Sequence, residues 1–286
     1  MKHYLALTGA LLLVSGNLAA GSLTETVSGK VTEALAKFND ALNTINTSVA
    51  NANNNMASSW MTWYDLAIAQ YTSLIDRFQQ YPMVDLNSLI SGRNDLVFER
   101  NYTTPAKLED DPYYTYMLIP NANLAVSQIG DLLNAAAAEM SSQAVPANNC
   151  LNQHGASLTS SPITIDRVTD CILAANGKIP RIEANVIVHI NADIALAPPT
   201  FNLLNLCNVP EPTDSSSSNI CLTQYLSRFS QMKSYRLKTS IDSVRSQQSG
   251  MIFSTADRCV RLVQNDIRDA VDRVKANFAS CLSTSS

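Results

Sequence analysis

The sequence predicts an all-α protein in which long amphipathic helices form an antiparallel bundle and disulfides cross-link the second half. Near both ends of the chain, apolar residues recur every three or four positions, which keeps them on one face of a helix for many turns. All six cysteines lie in the second half of the 286 residues and stand far apart. Hydrophobic residues make up 46% of the chain and charged residues 15%, so we expect a packed core rather than a disordered chain or a coiled-coil rod.

Residues 21–145 contain no cysteine and are predicted to form an N-terminal helical region. Its helices are expected at about 23–49, 58–80 and 122–142. The first helix should end at the asparagine cluster, residues 51–55, because asparagine is a poor helix former. Pro82 should stop the second helix, since proline lacks the backbone N–H that a helix interior requires. The stretch between the second and third helices is mixed and indicates no single element.

Residues 146–286 are predicted to form a C-terminal helical region linked by disulfides. Its first helices are expected at about 163–176 and 181–196, after a polar loop at 141–161. The second of these has a β-branched centre, so a strand is its alternative. A linker rich in proline and serine follows at 209–219. The last part of the chain is predicted to be a helical hairpin that reverses within Gln247 to Gly250, and one unbroken helix is the alternative because the apolar period nearly survives there.

The first twenty residues, 1–20, indicate a secretory signal peptide. Lys2 supplies a positive start, an apolar stretch from Leu5 to Val14 follows, and small residues stand at Ala19 and Ala20. About ten apolar residues are too few to span a bilayer, which needs roughly twenty. No later stretch is sufficiently apolar, so we expect a secreted, extracellular protein that is not an integral membrane protein.

Two Asn-x-Ser/Thr sequons lie in the first half of the chain. They begin at Asn46 and at Asn101. A secreted chain that carries such sequons is predicted to be a glycoprotein.

An even number of cysteines in a secreted chain predicts disulfides, here three. The cysteines are Cys150, Cys171, Cys207, Cys221, Cys259 and Cys281. Between 13 and 37 residues separate consecutive cysteines, whereas zinc sites use close pairs, so no metal site is expected. Cys259 and Cys281 lie on one predicted helix, about 33 Å apart at roughly 1.5 Å per residue, and a disulfide needs Cα atoms within about 7 Å. These two cysteines are therefore predicted not to pair.

The other pairings depend on the predicted hairpin. A reversal near Gly250 would bring Cys281 beside Cys221, and these two are the predicted pair. Cys259 must then find its partner outside its own helix, and Cys171 and Cys150 are the candidates.

The sequence contains none of the motifs that mark common catalytic sites. It has no dinucleotide-binding glycine motif, no P-loop and no G-x-S-x-G, and the acidic run from Glu109 to Asp111 indicates a solvated surface. A net charge of −4 disfavours nucleic acid as a partner, because nothing concentrates positive charge against phosphates. We therefore expect a protein that is not an enzyme and that has no catalytic residue, cofactor or metal ligand.

Widely spaced cysteines in the second half stand within helical segments rich in serine, alanine and threonine. The segments are Cys221-Leu222-Thr223-Gln224, Arg258-Cys259-Val260 and Ala279-Ser280-Cys281-Leu282. In this respect the stretch from Cys150 to the end resembles the secreted helical cysteine proteins of insects that share the tsetse EP-protein (TsetseEP) domain. The resemblance implies an insect protein of an extracellular fluid, in a family without a catalytic motif.

Long amphipathic helices can enclose an apolar cavity, and helix bundles hold ligands between their helices. The side chains expected to line such a cavity are aromatic residues of the second helix: Trp60, Trp63, Tyr71 and Phe78. The sequence therefore predicts a protein that binds or sequesters lipid or another apolar ligand in an extracellular fluid. The alternative is an extracellular structural or protein-interaction component with no small-molecule ligand.

Overall fold

The computed structural model describes residues 20–79, 85–103, 106–143, 148–160, 162–202, 220, 223–224 and 234–285. These residues form helices and their connections with no strand among them, so the all-α prediction is confirmed. The α-helices of this part of the chain are α1 (Ala20–Phe78), α2 (Asn87–Tyr102), α3 (Ile119–Gln143), α4 (Asn148–Gly155), α5 (Asp166–Asn176), α6 (Ile179–Asn202) and α7 (Ser234–Ser285). Shorter elements are 3₁₀ turns at Leu108–Asp110 and Ala156–Thr159 and a π-helix at Tyr113–Leu118. The predicted signal peptide, except Ala20, and the predicted linker lie outside the described residues.

A single helix, α1, replaces the first two predicted helices, so the expectation that the asparagine cluster ends a helix is wrong. The apolar stripe passes through the cluster at Ala52 and continues at Met56, and both side chains are buried. Asn53 also has partners outside the helix. Its Oδ1 accepts a hydrogen bond from the Leu108 amide at 2.8 Å, and its Nδ2 donates one to Glu109 at 3.2 Å. These tertiary contacts outweigh the low helix propensity of asparagine.

The C-terminal segment is also one helix, α7, so the predicted reversal near Gly250 is wrong and the unbroken alternative holds. Polar residues at the predicted junction have partners on other segments. The buried Ser249 hydroxyl donates a hydrogen bond to Asp111. Gln248 Oε1 accepts a hydrogen bond from Asn185 Nδ2 at 2.9 Å. Because these polar groups are satisfied within the fold, they do not require a solvent-exposed turn.

Helix α2 lies in the stretch that is predicted to be mixed. It buries Leu89 and Leu96, which are two turns apart and share one face of the helix. Gly92 stands between them against Tyr71, and a Cβ atom at Gly92 would lie only 2.7 Å from Tyr71 Cε1. The glycine that weakens the helical pattern in the sequence is therefore the residue that lets α2 pack closely.

Helix α4 occupies part of the predicted polar loop, which was expected to contain no helix. Helix α5 ends at Asn176, before Gly177, as predicted. Helix α6 extends beyond the expected end through Pro198 and Pro199 to Asn202. Its β-branched centre is helical, so the strand alternative is wrong.

The chain separates into two compact units. Unit 1 comprises residues 1–37, 125–167 and 262–286, and unit 2 comprises residues 38–124 and 168–261. Each unit includes residues from both predicted regions, 21–145 and 146–286. The division between those two regions stays a prediction.

In unit 1, α1 and α3 run antiparallel, α3 and α7 run parallel, and α7 runs antiparallel to α4 and α5. The contacts that set this order join Thr24 to Ser141, Gln128 to Gln264, Glu139 to Lys275, Arg167 to Asp266 and Cys150 to Cys281. α3 approaches α1 closely at Gly130, where a Cβ atom would lie 3.2 Å from Val31 Cγ1. The predicted antiparallel packing is thus confirmed, with one parallel neighbour added.

In unit 2, α1 runs antiparallel to the segment that leads through the π-helix, and α7 runs antiparallel to α5 and α6. The contacts that set this order join Asn46 to Tyr114, Asn53 to Glu109, Cys171 to Cys259 and Asn185 to Gln248. The core of this unit includes the fully buried aromatic residues Trp60, Tyr64 and Phe253. Aromatic side chains from α1 and α7 therefore contribute much of its buried apolar surface.

Two disulfides link helices of the second half of the chain. Cys150 pairs with Cys281 in unit 1, and Cys171 pairs with Cys259 in unit 2, with Cα atoms 5.7 and 5.8 Å apart. The exclusion of a Cys259–Cys281 pair is confirmed, and Cys171 is the partner of Cys259, one of its two predicted candidates. The predicted Cys221–Cys281 pair is wrong, because α7 does not reverse and Cys281 lies beside α4 instead.

Disulfides of this kind persist in oxidising compartments, which fits an extracellular location. Among the described helices, none is both long enough and apolar enough to cross a membrane. The remaining cysteines, Cys207 and Cys221, lie outside the described residues.

Two buried tyrosines of unit 2 are expected to make the protein less stable at strongly alkaline pH. Burial raises the pKa of Tyr71 to about 12, with a contribution from the charge of Asp95. Burial likewise raises the pKa of Tyr114 to about 12, with a contribution from Glu109. In the unfolded chain a tyrosine titrates near pH 10, so the folded state binds more protons between about pH 10 and 12.

The stabilisation from both tyrosines is expected to be complete below about pH 10 and to be lost as the pH rises towards about 12. Each tyrosine should account for roughly 2–3 kcal/mol over that range. Urea unfolding at several alkaline pH values, with tyrosinate absorbance measured in parallel, tests this expectation. Tyr114→Phe should remove about half of the pH dependence, and an unchanged dependence in that variant would contradict the assignment.

Candidate functional site

The candidate site is a cavity of about 110 Å³ within unit 2. It is partly open to solvent, and its walls come from α1, α6, α7 and the residues just before the 3₁₀ turn at Leu108–Asp110. Its lining residues are Asn53, Asn54, Met56, Ala57, Trp60, Ala106, Lys107, Val186, Ile190, Ile241 and Arg245. Three helices that are distant in the sequence therefore converge on one small space.

The floor of the cavity is apolar. Its side chains are at most 3% exposed and come from Met56, Trp60, Val186, Ile190 and Ile241. Residues 56 and 60 of α1, and residues 186 and 190 of α6, are each one helical turn apart, so each helix presents one apolar ridge to the cavity. A ligand group held against this floor would be removed from water and stabilised by the hydrophobic effect.

Trp60 is held in place by other aromatic rings of α1. Its ring stacks on Trp63 with centroids 5.5 Å apart, and it meets Tyr64 edge-on at 5.1 Å. Trp60 and Tyr64 are fully buried. Such packing fixes the orientation of the indole and makes this wall of the cavity rigid.

The mouth of the cavity is polar and carries positive charge. Asn54 and Lys107 are exposed there, and Arg245 is half-buried. Arg245 Nη1 donates a hydrogen bond to the Lys107 carbonyl at 2.7 Å, which ties α7 to the segment before the 3₁₀ turn. The Lys107 ammonium lies 3.3 Å from a carboxylate oxygen of Glu109.

Two residues that line the cavity each carry a hydrogen-bond donor that has no partner among the described residues. One donor is the indole Nε1 of Trp60 and the other is the guanidinium Nε of Arg245, and both atoms are buried. A buried donor without a partner costs roughly 1–3 kcal/mol, so such a group is expected to meet a water or a ligand. The cavity therefore combines apolar walls with hydrogen-bond donors that lack an acceptor in the described part of the chain.

The four aromatic residues predicted to line a ligand site have different positions. Trp60 lines the cavity, and Trp63 stacks behind it. Tyr71 packs against Gly92, and Phe78 is buried near the end of α1. Of the four, only Trp60 is a lining residue of this cavity, and whether the other three contact a ligand stays a prediction.

Sequence reasoning missed most of the cavity. Val186, Ile190 and Ile241 belong to apolar stripes that indicate only a buried face, with no sign of a void beside it. Arg245 and Lys107 resemble ordinary surface cations in the sequence. Their convergence depends on the tertiary pairing of α7 with the segment before the 3₁₀ turn, which no local pattern reveals.

The two predicted glycosylation positions are both exposed. Asn46 lies in the middle of α1, and its Oδ1 accepts a hydrogen bond from the Tyr114 hydroxyl at 2.6 Å. Asn101 lies in the last turn of α2, where no hydrogen bond from its side chain occurs within the described part of the chain. Glycosylation of either residue stays a prediction.

Searches against family models, curated proteins and solved structures find no match to this chain. The resemblance to the insect cysteine proteins therefore stays a prediction. Among the described residues, no group of three or more histidine, cysteine, aspartate or glutamate side chains is placed to hold a metal ion. The cavity in unit 2 is accordingly the feature from which a function can be argued.

Proposed function

We propose that this protein is a secreted, non-enzymatic binding protein that holds a small apolar ligand in an extracellular fluid. The observation that carries the proposal is the cavity of unit 2, with its buried apolar floor and its polar mouth. Two disulfides support an extracellular setting. The resemblance to secreted insect proteins supports the same setting.

The volume of the cavity restricts the ligand to a small molecule or to the end of a longer one. A cavity of roughly 150 Å³ can hold one benzene molecule, so about 110 Å³ suits a chain of four or five carbon atoms. Burying four methylene groups contributes roughly 3 kcal/mol at about 0.8 kcal/mol each. Because a dissociation constant of 1 mM corresponds to about 4 kcal/mol, apolar contacts alone predict binding in the millimolar range.

Filling the cavity with a side chain of the protein is expected to abolish binding without unfolding the protein. Ala57 lines the cavity on α1, and Ala57→Leu replaces a methyl group by an isobutyl group there. Pentanoate and 1-pentanol serve as probes, with binding followed by ligand-observed NMR and by tryptophan fluorescence. The wild type should bind at least one probe. The variant should bind each probe at least tenfold more weakly than the wild type does.

Ala50→Leu is the matched control, because Ala50 is exposed on the same helix and does not line the cavity. It should bind both probes as the wild type does. Thermal melting of all three proteins shows whether they are folded, and Ala57→Met offers a more flexible filling side chain if leucine proves too bulky. Equal probe binding by the wild type and a folded Ala57 variant would contradict the proposal.

A second candidate function is supported by the exposed face of α2. Phe98 and Tyr102 are 63% and 74% exposed, and their ring centroids are 4.6 Å apart. Exposed aromatic pairs are common at protein interfaces, so this face favours the alternative of a protein-interaction component. Solvent extraction of protein purified from its natural fluid, followed by mass spectrometry, separates the two functions, because only the first predicts a stoichiometric small molecule.

A further inference from the structure

We infer that the ligand of the unit 2 cavity is a short-chain monocarboxylate whose carboxylate is held by Arg245 and Trp60. The inference rests on the proposed function and specifies the chemistry of its ligand. Both buried groups without a partner at this cavity are donors, Trp60 Nε1 and Arg245 Nε. A ligand that satisfies both must bring acceptor oxygens, and an ionised carboxylate is a pure acceptor with two of them.

Arg245 has no counter-ion among the residues that the structure describes. Within the described part of the chain, no carboxylate lies within ion-pair distance of its guanidinium, and its one hydrogen bond goes from Nη1 to the Lys107 carbonyl. That bond leaves the edge formed by Nε and Nη2 without a partner in the described part of the chain. A guanidinium edge with two parallel N–H groups matches the two oxygens of a carboxylate.

Acidic groups near the cavity have partners other than Arg245. Asn53 Oδ1 accepts the Leu108 amide, and its Nδ2 donates to Glu109. The carboxylate of Asp110 accepts a hydrogen bond from the Lys107 amide at 2.9 Å. Asp242, one turn before Arg245, pairs with Lys238 through Oδ2 at 2.6 Å, and its buried Oδ1 has no hydrogen-bond partner among the described residues. None of these carboxylates forms an ion pair with Arg245, so its counter-charge is assigned to an anion from outside the protein.

The apolar floor determines the polarity of the rest of the ligand, and the cavity volume determines its length. A carboxylate at Arg245 would place an alkyl tail against Met56, Val186, Ile190 and Ile241, which are buried and offer no polar group. A cavity of about 110 Å³ accommodates a tail of about four carbons. Pentanoate has this length and is therefore the probe of choice, with 1-pentanol as the neutral molecule of the same tail.

The wild type is expected to bind pentanoate at least about tenfold more tightly than 1-pentanol, because a hydrogen bond to a charged group distinguishes the two. Arg245→Met keeps an apolar side chain of similar length and removes the charge and the donors. In this variant the affinity for pentanoate should fall to that for 1-pentanol, while the affinity for 1-pentanol stays as in the wild type. Ligand-observed NMR titration at neutral pH gives both dissociation constants, and thermal melting reports whether the variant is folded.

Arg258→Met is the matched control, since Arg258 is exposed on the same helix and does not line the cavity. It should keep the preference for pentanoate. Equal binding of both probes by the wild type, or an Arg245→Met variant that weakens both probes equally, would overturn the carboxylate assignment and leave the proposed function standing. Binding of neither probe by the folded wild type would instead contradict the proposed function itself.

Discussion

Replacing both Cys171 and Cys259 by serine is expected to lower the free energy of unfolding by about 5 kcal/mol. This disulfide joins positions 88 residues apart, and in the chain-entropy model opening a loop of that length gives the unfolded chain about that much extra freedom. Folded domains are stable by only about 5–15 kcal/mol, so the variant should unfold at a much lower urea concentration. Circular dichroism during urea unfolding measures the difference.

The other disulfide provides the comparison. Cys150 and Cys281 are 131 residues apart, and their double serine variant should lose a similar amount, about 5 kcal/mol. Reduction of the wild type should destabilise the protein at least as much as either double variant. A double variant whose free energy of unfolding falls by less than about 1 kcal/mol would contradict either the cysteine pairing or the chain-entropy model.

Peptide mapping without reduction tests the connectivity directly. It should yield Cys150–Cys281 and Cys171–Cys259 peptides. Once four cysteines are paired in this way, Cys207 and Cys221 are the only possible partners of each other, so a third peptide that joins them is expected. A Cys221–Cys281 peptide would contradict this arrangement and restore the helical hairpin.

The helical class could be predicted because the apolar stripes are long and regular. In α7 the apolar stripe includes Ala256, Val263 and Ile267, and all three are buried. Stripes of this length identify the buried face without any knowledge of the partner helices. Geometry along one helix was also enough to exclude a Cys259–Cys281 disulfide, since that argument needs no tertiary contact.

The breaks predicted within α1 and α7 are wrong, because side chains that usually break helices have tertiary partners here. Asn53 bonds to Leu108 and Glu109, and Ser249 bonds to Asp111. Local propensity differences are below about 1 kcal/mol per residue, so a few such contacts are enough to continue a helix. Predicting them requires the positions of segments that lie 50 or more residues away in the sequence.

Of the residues that line the candidate site, only Trp60 was predicted from the sequence. A large aromatic residue on an apolar stripe indicates burial, and burial makes it available as a cavity wall. A void, however, is the difference between the volume of the space and the volume of the side chains that fill it. That difference arises where the small side chains of Ala57 and Ala106 line the cavity together with Val186 and Ile241, and patterns along the sequence carry no information about it.

Trp60→Ala is expected to cost about 3–5 kcal/mol of unfolding free energy. Trp60 is 1% exposed, stacks on Trp63 and meets Tyr64 edge-on. Removing the indole loses its transfer free energy and its contacts with both rings, and it leaves a void that joins the existing cavity. Urea unfolding followed by circular dichroism measures the loss, with Tyr102→Ala as the control. Tyr102 is 74% exposed, so its truncation should change stability by only about 0.5 kcal/mol.

Added indole distinguishes a void from a general loss of structure. If Trp60→Ala leaves an indole-shaped space within a folded unit, indole should bind there and raise the stability of the variant in proportion to RT ln(1 + [L]/Kd). The wild type, in which the tryptophan occupies that space, should gain nothing. The enlarged cavity should also accept molecules larger than pentanoate, because the volume of the indole is added to it. A variant that loses less than about 1 kcal/mol would show that Trp60 is not packed as described, whereas a folded variant without any response to indole would show that its neighbours collapse into the space.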